Sequence, residues 1–189
     1  MIITFSKPGY FRLQSGSVSV DVDPLSGRTK ADLVLRTSLK KDEEASALID
    51  GEIGCAGEYE IKDIEVRGFQ EANESTTNMV RTVYLVQWED LKFACLGELS
   101  ALPEGAVMKE ISEVDVLLLP VAGPGVMAAG DAAKLVRQIE PSVVIPSHFS
   151  KWQDFAKELG QQKVEPQEKF VFKKKELIPK EMKLVILEG

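Results

Sequence analysis

One stretch in the second half of the chain constrains the fold more strongly than any other. It opens with a nearly unbroken apolar run, Asp115–Val121, whose length suits a strand that is buried on both faces. Apolar and small residues then recur at helical spacing over Ala128–Ile139, and Pro141 ends that helix. A second apolar run begins at Val143 and leads into His148. The pattern predicts a βαβ unit, in which a right-handed crossover helix joins two parallel strands.

This unit also indicates where a site would lie. In sheets of parallel strands, ligands bind beyond the carboxyl ends of the strands. His148, the only histidine in the chain, follows the second predicted strand at that end. Two interpretations of His148 stay open: a strand-end histidine that is hydrogen-bonded to the backbone, or a pocket residue that donates a proton or binds a ligand.

The first half of the chain carries the pattern of antiparallel strands. One hairpin is predicted to turn at Ser15-Gly16, and a second to turn at Glu89-Asp90 between the strands Val80–Trp88 and Lys92–Leu96. Antiparallel strands followed by a late βαβ unit suit two β-sheets that pack face to face with helices outside. Periodicity alone leaves several α/β arrangements open.

Composition is that of an ordinary globular protein. The 189 residues, of which 44% are hydrophobic and 28% charged, predict a single domain over residues 1–189. The chain has 30 acidic and 23 basic residues, which argues against nucleic acid as a partner, because a nucleic-acid groove needs clustered positive charge. Cys55 and Cys95 are predicted to be buried free thiols.

The same sequence features give an expectation about location and partners. No apolar run approaches the roughly 20 residues that span a bilayer, and the start of the chain lacks the pattern of a signal peptide. We therefore expect a cytoplasmic protein without a membrane partner. Assembly into a homo-oligomer is compatible with this composition, which does not specify a small-molecule ligand.

Several phrases along the chain carry a family resemblance. They are, in order, Val22-Asp23-Pro24 after a hairpin, ADLVLRTS at 31–38, GEYEI at 57–61, LGEL at 96–99, DVLLLPVAGPGVM at 115–127 and VVIPSHF at 143–149. Together they resemble the metallo-β-lactamase superfamily, most closely its small Zn-dependent hydrolase-like branch, to which the ascorbate-6-phosphate lactonases are related. The resemblance covers nearly the whole chain. It implies an α/β fold, the four-layer αββα sandwich, with metals in a cleft between the loop ends of the two sheets.

The metal motif of the family is changed in this chain. Active members carry Thr-His-x-His-x-Asp-His after the strand that corresponds to ADLVLRT. In an alignment on Thr37, Ser38 and Lys40 take the first two histidine positions. Asp42 matches the aspartate, and Glu43 stands where the last histidine would be.

The remaining positions of the family's site are partly kept. The bridging aspartate of the family's Leu-Gly-Asp phrase corresponds to Glu98, and only His148 keeps its type as a histidine ligand. The resemblance also suggests that Asp23 orders the loops around the cleft through hydrogen bonds to backbone amides.

These changes lead to two hypotheses about function. Zinc hydrolases hold their metal with imidazoles, serine is a poor zinc ligand, and the Lys40 cation would repel a metal beside it. The first hypothesis is therefore a pseudoenzyme without a cofactor, which acts as a binding, scaffolding or self-assembling module. The alternative is a hydrolase of a small phosphorylated or lactone-like substrate, with one Mn²⁺, Fe²⁺, Mg²⁺ or Zn²⁺ ion at Asp42, Glu98 and His148.

Overall fold

Two β-sheets packed face to face form the centre of the molecule. The computed structural model describes residues 1–25, 29–40, 51–103, 105–179 and 181–189. Its strands are β1 Ile2–Ser6, β2 Tyr10–Ser15, β3 Val18–Val22, β4 Leu33–Leu35, β5 Ser38–Lys40, β6 Glu52–Ile53, β7 Gly57–Ile61, β8 Ile64–Gln70, β9 Met79–Trp88, β10 Leu91–Cys95, β11 Val116–Pro120, β12 Val143–Ser147, β13 Lys169–Val171 and β14 Lys183–Leu184. Its α-helices are α1 Gly105–Glu110, α2 Ala129–Ile139 and α3 Trp152–Glu158.

The two sheets divide the chain unevenly. The first sheet has the order β13-β1-β2-β3-β4-β6, and the second has the order β14-β12-β11-β10-β9-β8-β7. Strand β5 lies outside both orders, and β9 is its partner among the described strands. The predicted late parallel unit lies in the second sheet. The first sheet departs from the predicted antiparallel pattern, because β3 and β4 pair in parallel, as do β4 and β6.

The βαβ unit is built as the sequence predicts. Strands β11 and β12 are parallel, in a register that runs from Val116 opposite Val143 to Pro120 opposite Ser147. Helix α2 connects them and ends at Glu140, whose left-handed backbone (φ 52°) lets its N–H donate to the Val136 carbonyl. All residues of both strands are buried, because helices cover one face of this sheet and the first sheet covers the other.

Successive side chains along the strands point to opposite faces of the second sheet and thus into two separate hydrophobic cores. Leu118 points between the sheets, into a core that also contains Leu13, Leu35 and Phe93. Its neighbours Leu117 and Leu119 point the opposite way, into a second core with residues of the three helices. In the part of the chain that the structure describes, the helices thus pack on the outer face of the second sheet.

Both predicted hairpins are present, and the first turns at Gly16-Ser17, one residue later than predicted. At the turn between β9 and β10, Glu89 and Asp90 both have positive φ (51° and 62°), as a two-residue type I′ turn requires. Strands β2 and β3 pair through Ser15 and Val18, with Gly16 at φ 55° in the turn. No helix among the described residues is long and apolar enough to cross a membrane.

Candidate functional site

A cleft of about 370 Å³ opens at one end of the sandwich. Loops that follow β3, β4, β10 and β12 form it, together with the turn between β1 and β2. Its lining residues are Pro8, Gly9, Asp23, Pro24, Leu25, Arg36, Thr37, Ser38, Met79, Glu98 and His148. The carboxyl ends of the parallel strands β10, β11 and β12 meet at this edge, which is where ligands bind in such sheets.

Asp23 holds two of these loops together. Its backbone has φ 49°, and its N–H donates to the Leu35 carbonyl at 2.9 Å. Its carboxylate accepts a hydrogen bond from the Thr37 N–H at 2.8 Å and another from Thr37 Oγ1 at 2.6 Å. Asp23 keeps some exposed surface, but its carboxyl group is closely surrounded, and burial raises its pKa to about 6 against the opposing effect of the Thr37 hydrogen bonds. A carboxyl group with this pKa can take up or release a proton near neutral pH.

Glu98 lies between two basic side chains. Its Oε1 is 3.7 Å from His148 Nε2, an ion-pair distance, and its Oε2 contacts Arg81 Nη1. The neighbouring imidazole of His148 and the guanidinium of Arg81 together lower the pKa of Glu98 to about 2, against the effect of partial burial. Glu98 is therefore ionised at neutral pH.

The His148 ring is held from several directions. Its backbone has φ 57°, and its N–H donates to the Pro8 carbonyl at 2.7 Å. Nδ1 is 3.0 Å from Ser147 Oγ, so Nε2 is the ring atom that faces Glu98. A Cβ atom at Gly9 would lie 2.1 Å from the ring carbon Cε1. Glycine at position 9 is thus needed for the imidazole to occupy this place.

The structure brings four of the predicted site residues together. Asp23, Ser38, Glu98 and His148 all line the cleft. Lys40 ends β5 as an exposed residue opposite Met79, two positions beyond Ser38, and is not part of the cleft lining. Asp42 and Glu43 lie outside the described residues.

Two features of the site escaped the sequence interpretation. Arg81 reaches Glu98 along the β9–β10 hairpin: Tyr84 is opposite Cys95, and Arg81 and Glu98 each lie three positions beyond that pair. Gly97 has φ 64°, and a Cβ atom there would lie 2.2 Å from Thr37 Oγ1. Gly97 directly precedes the predicted site residue Glu98 in the phrase LGEL at 96–99, and this position was the signal in the sequence that could have indicated its role.

A larger groove of about 580 Å³ lies elsewhere, on the outer face of the second sheet. Four of its charged residues form two pairs: Arg67 contacts Glu110 at 2.6 Å, and Lys92 approaches Glu113 at 4.0 Å. None of the predicted site residues lines it. The smaller cleft is therefore the candidate functional site.

Comparison with known proteins agrees with this geometry. A sequence profile described as "Beta-lactamase superfamily domain" matches residues 3–148. The chain belongs to this superfamily. A UPF0173 protein of Pyrococcus furiosus is 30% identical over 118 residues, which are 60% of this chain and 54% of that protein. A UPF0173 metal-dependent hydrolase of Staphylothermus marinus is 27% identical over 117 residues, 62% of this chain and 50% of that protein. The chain thus matches about half the length of these relatives.

Solved structures confirm the fold of this superfamily member. A Thermotoga maritima protein, described as a Zn-dependent hydrolase of the metallo-β-lactamase superfamily, superposes with a TM-score of 0.79 at 24% identity, over 98% of this chain and 97% of that one. Igni18, a metallo hydrolase of Ignicoccus hospitalis, gives a TM-score of 0.66 at 21% identity, over 91% and 99% of the two chains. At these identities the likeness shows the fold alone. The expected metallo-β-lactamase-like α/β sandwich is confirmed.

The expectation of a protein without a cofactor is wrong. Relatives of this chain are named metal-dependent hydrolases, which points to a divalent metal. The change of histidines to Ser38 and Lys40 suggested the opposite, because the Lys40 cation was expected to repel a metal beside it, whereas Lys40 is exposed and does not line the cleft. The pseudoenzyme hypothesis also has no support among these relatives, whereas the hydrolase alternative agrees with their names.

The described residues do not supply a complete set of metal ligands. No three His, Cys, Asp or Glu side chains in the described ranges come together at a spacing that could hold an ion. Glu98 and His148 are neighbours, while both oxygens of Asp23 accept hydrogen bonds from Thr37. Glu98 and His148 alone are too few for a protein metal site, so an ion in this cleft needs donors from outside the described residues.

Proposed function

We propose that the chain is a divalent-metal-dependent hydrolase that acts on a small phosphorylated or lactone-like substrate in the cleft. The observation that carries this proposal is the meeting of an ionised carboxylate, Glu98, with the imidazole of His148 at the carboxyl ends of the parallel strands. The names of the relatives support the reaction class. A cleft of about 370 Å³ has the size of a small-molecule site.

The residues at the cleft define what this chain contributes. Carboxylates outnumber imidazoles there, so the site favours hard ions such as Mn²⁺, Fe²⁺ or Mg²⁺ over a histidine-rich zinc centre. Asp42 and Glu43 are the proposed further donors. Asp23, whose pKa is about 6, orients Thr37 and is able to exchange a proton near neutral pH.

A second candidate function is binding of a small molecule without hydrolysis. It is favoured by the contact between the Arg81 guanidinium and Glu98, because this contact engages the carboxylate that corresponds to the family's bridging aspartate. Under this alternative the cleft keeps its shape and its substrate class while the reaction is lost.

A hydrolysis assay with matched variants separates the two candidates. Protein purified without chelator would be assayed with Mn²⁺, Fe²⁺, Mg²⁺ and Zn²⁺ on panels of phosphate monoesters and lactones. We expect turnover that EDTA abolishes and that Glu98→Gln and His148→Gln each reduce by about 100-fold or more. Glu110→Gln, which alters the groove outside the cleft, is the control and should keep full activity. Ligand-induced thermal stabilisation without turnover would favour the binding function instead.

A further inference from the structure

The cleft is lined by apolar residues as well as by the polar ones. Four apolar residues from three separate segments of the chain belong to its lining: Pro8, Pro24, Leu25 and Met79. A small-molecule site combines apolar surface, which takes up the bulk of the ligand, with a few polar groups that orient it. The composition of this cleft therefore suits a substrate that is itself partly apolar.

Leu25 presents the largest exposed apolar side chain at the cleft. At 68% it is the most exposed large hydrophobic residue in the part of the chain that the structure describes. The next two, Val171 and Ile178, lie outside the cleft. An exposed leucine is common on protein surfaces, but this one borders the candidate site. Contact with an apolar group of a ligand would remove its surface from water, which is favourable in proportion to the area covered.

The fold holds the backbone in place directly before Leu25. Asp23, two residues earlier, donates its N–H to the Leu35 carbonyl at 2.9 Å. The carbonyl of Pro24 accepts a hydrogen bond from Arg36 Nη1 at 2.9 Å. Leu25 therefore follows two anchored residues, and its place at the cleft is set by the fold.

The charges at the cleft favour an uncharged reacting group. Arg36 is the only lysine or arginine among the described lining residues, and its guanidinium already pairs with Glu52 at 3.0 Å. Glu98, beside His148, is ionised at neutral pH. A phosphate group at this place would meet the Glu98 carboxylate, and like charges repel. An uncharged lactone ring carries no such cost.

We propose that Leu25 is a specificity-determining residue that, together with Met79, binds the apolar substituent of an uncharged lactone. The proposal rests on the proposed function in placing the reacting group at Glu98 and His148, and it selects the lactone-like class of substrate over the phosphorylated class. Leu25 contacts a part of the substrate that does not react. Its removal should therefore abolish the preference for long substituents and spare the reaction of short ones.

Two γ-lactones that differ in side-chain length test this proposal under the conditions of the hydrolysis assay. γ-Valerolactone carries a methyl group, and γ-nonalactone carries a pentyl group on the same ring. We expect kcat/KM to be about tenfold or more higher for γ-nonalactone, because more apolar surface leaves water. Leu25→Ser should reduce this ratio to about threefold or less and keep kcat/KM for γ-valerolactone within about twofold of the parent. Ile178→Ser changes a similarly exposed side chain outside the cleft, and this matched control should keep the parent ratio.

Pentyl phosphate tests the preference for an uncharged group, because it presents the same apolar chain on an anion. We expect its inhibition constant to be at least about tenfold higher than KM for γ-nonalactone. An inhibition constant equal to or below that KM overturns the choice of an uncharged substrate.

Thermal unfolding with the same lactones gives a second readout that needs no turnover. A ligand that binds the folded state raises the melting temperature, so γ-nonalactone should raise that of the parent more than γ-valerolactone does, and Leu25→Ser should lose the difference. This result without hydrolysis supports the role of Leu25 and contradicts the proposed reaction. Turnover that is equal for both lactones, or a preference that Leu25→Ser retains, overturns the role of Leu25 and leaves the proposed function standing. The absence of both turnover and stabilisation overturns it as well.

Discussion

The two sides of the cleft are built in different ways. On one side, His148 follows β12, a strand whose residues are all buried between the two cores. On the other side, Ser38 begins β5, a three-residue strand that pairs with β9 and ends at the exposed Lys40. Side chains at the end of a buried strand are positioned by close packing on both faces. On the side that is packed in this way, His148 keeps the residue type that the resemblance implies, whereas Ser38 on β5 replaces a histidine.

Truncation of one leucine on each side should show the largest difference. Leu118 is 2% exposed between the sheets, so Leu118→Ala should lower the free energy of unfolding by about 2–5 kcal/mol. Leu39→Ala, in the half-buried strand β5, should cost less than about 1 kcal/mol. Urea unfolding of both variants measures this contrast. Equal losses would mean that β5 is as firmly packed as β11.

The same contrast explains how much of the molecule could be predicted from the sequence. The βαβ unit and the hairpin turn at Glu89-Asp90 follow from local patterns, and the structure contains both. The contact between Glu98 and Arg81 lies on the extension of the same hairpin, because Cys95 on β10 is opposite Tyr84 on β9 and each of the two residues lies three positions further on. The pairing of β5 with β9, which places Ser38 opposite Arg81, could not be predicted, because local patterns report burial and turns and do not specify which distant strands pair.

The next test compares two glycines, one that contacts His148 in the cleft and one in a helix outside it. Gly9→Ala would force a Cβ atom to within 2.1 Å of the His148 ring, so we expect the free energy of unfolding to fall by about 1–3 kcal/mol. Gly130→Ala, in α2, meets no atom within 4 Å and should stabilise the protein by about 0.4–1 kcal/mol. Thermal or urea unfolding gives both values.

A double variant separates the steric effect from a general loss of the turn. Gly9→Ala combined with His148→Ala should be less destabilised than the sum of the two single variants, because the ring that clashes is absent. Strict additivity would contradict the close contact between Gly9 and the imidazole.

The pH dependence of stability should carry a smaller signal from Asp23, on the Thr37 side of the cleft. Its pKa is about 6 in the folded protein, above the roughly 3.9 of an unfolded chain. Between these two pH values the folded state binds more protons than the unfolded state. The stabilisation by protonated Asp23 is therefore present below about pH 4 and is lost as the pH rises to about 6. In the parent, the free energy of unfolding should fall by on the order of 1–2 kcal/mol over this pH range, and Asp23→Asn should remove this fall. Parallel curves for parent and variant over this range would contradict the raised pKa.

The most direct test of a metal-dependent cleft is unfolding with and without a chelator. Parent protein, purified without chelator and supplied with Mn²⁺, would be compared with the variant Glu98→Gln/His148→Gln in urea, each in the presence and absence of EDTA. A metal that binds only the folded state stabilises it by mass action, so EDTA should lower the unfolding midpoint of the parent and leave that of the variant unchanged. A parent midpoint that EDTA does not alter would contradict a metal site at Glu98 and His148.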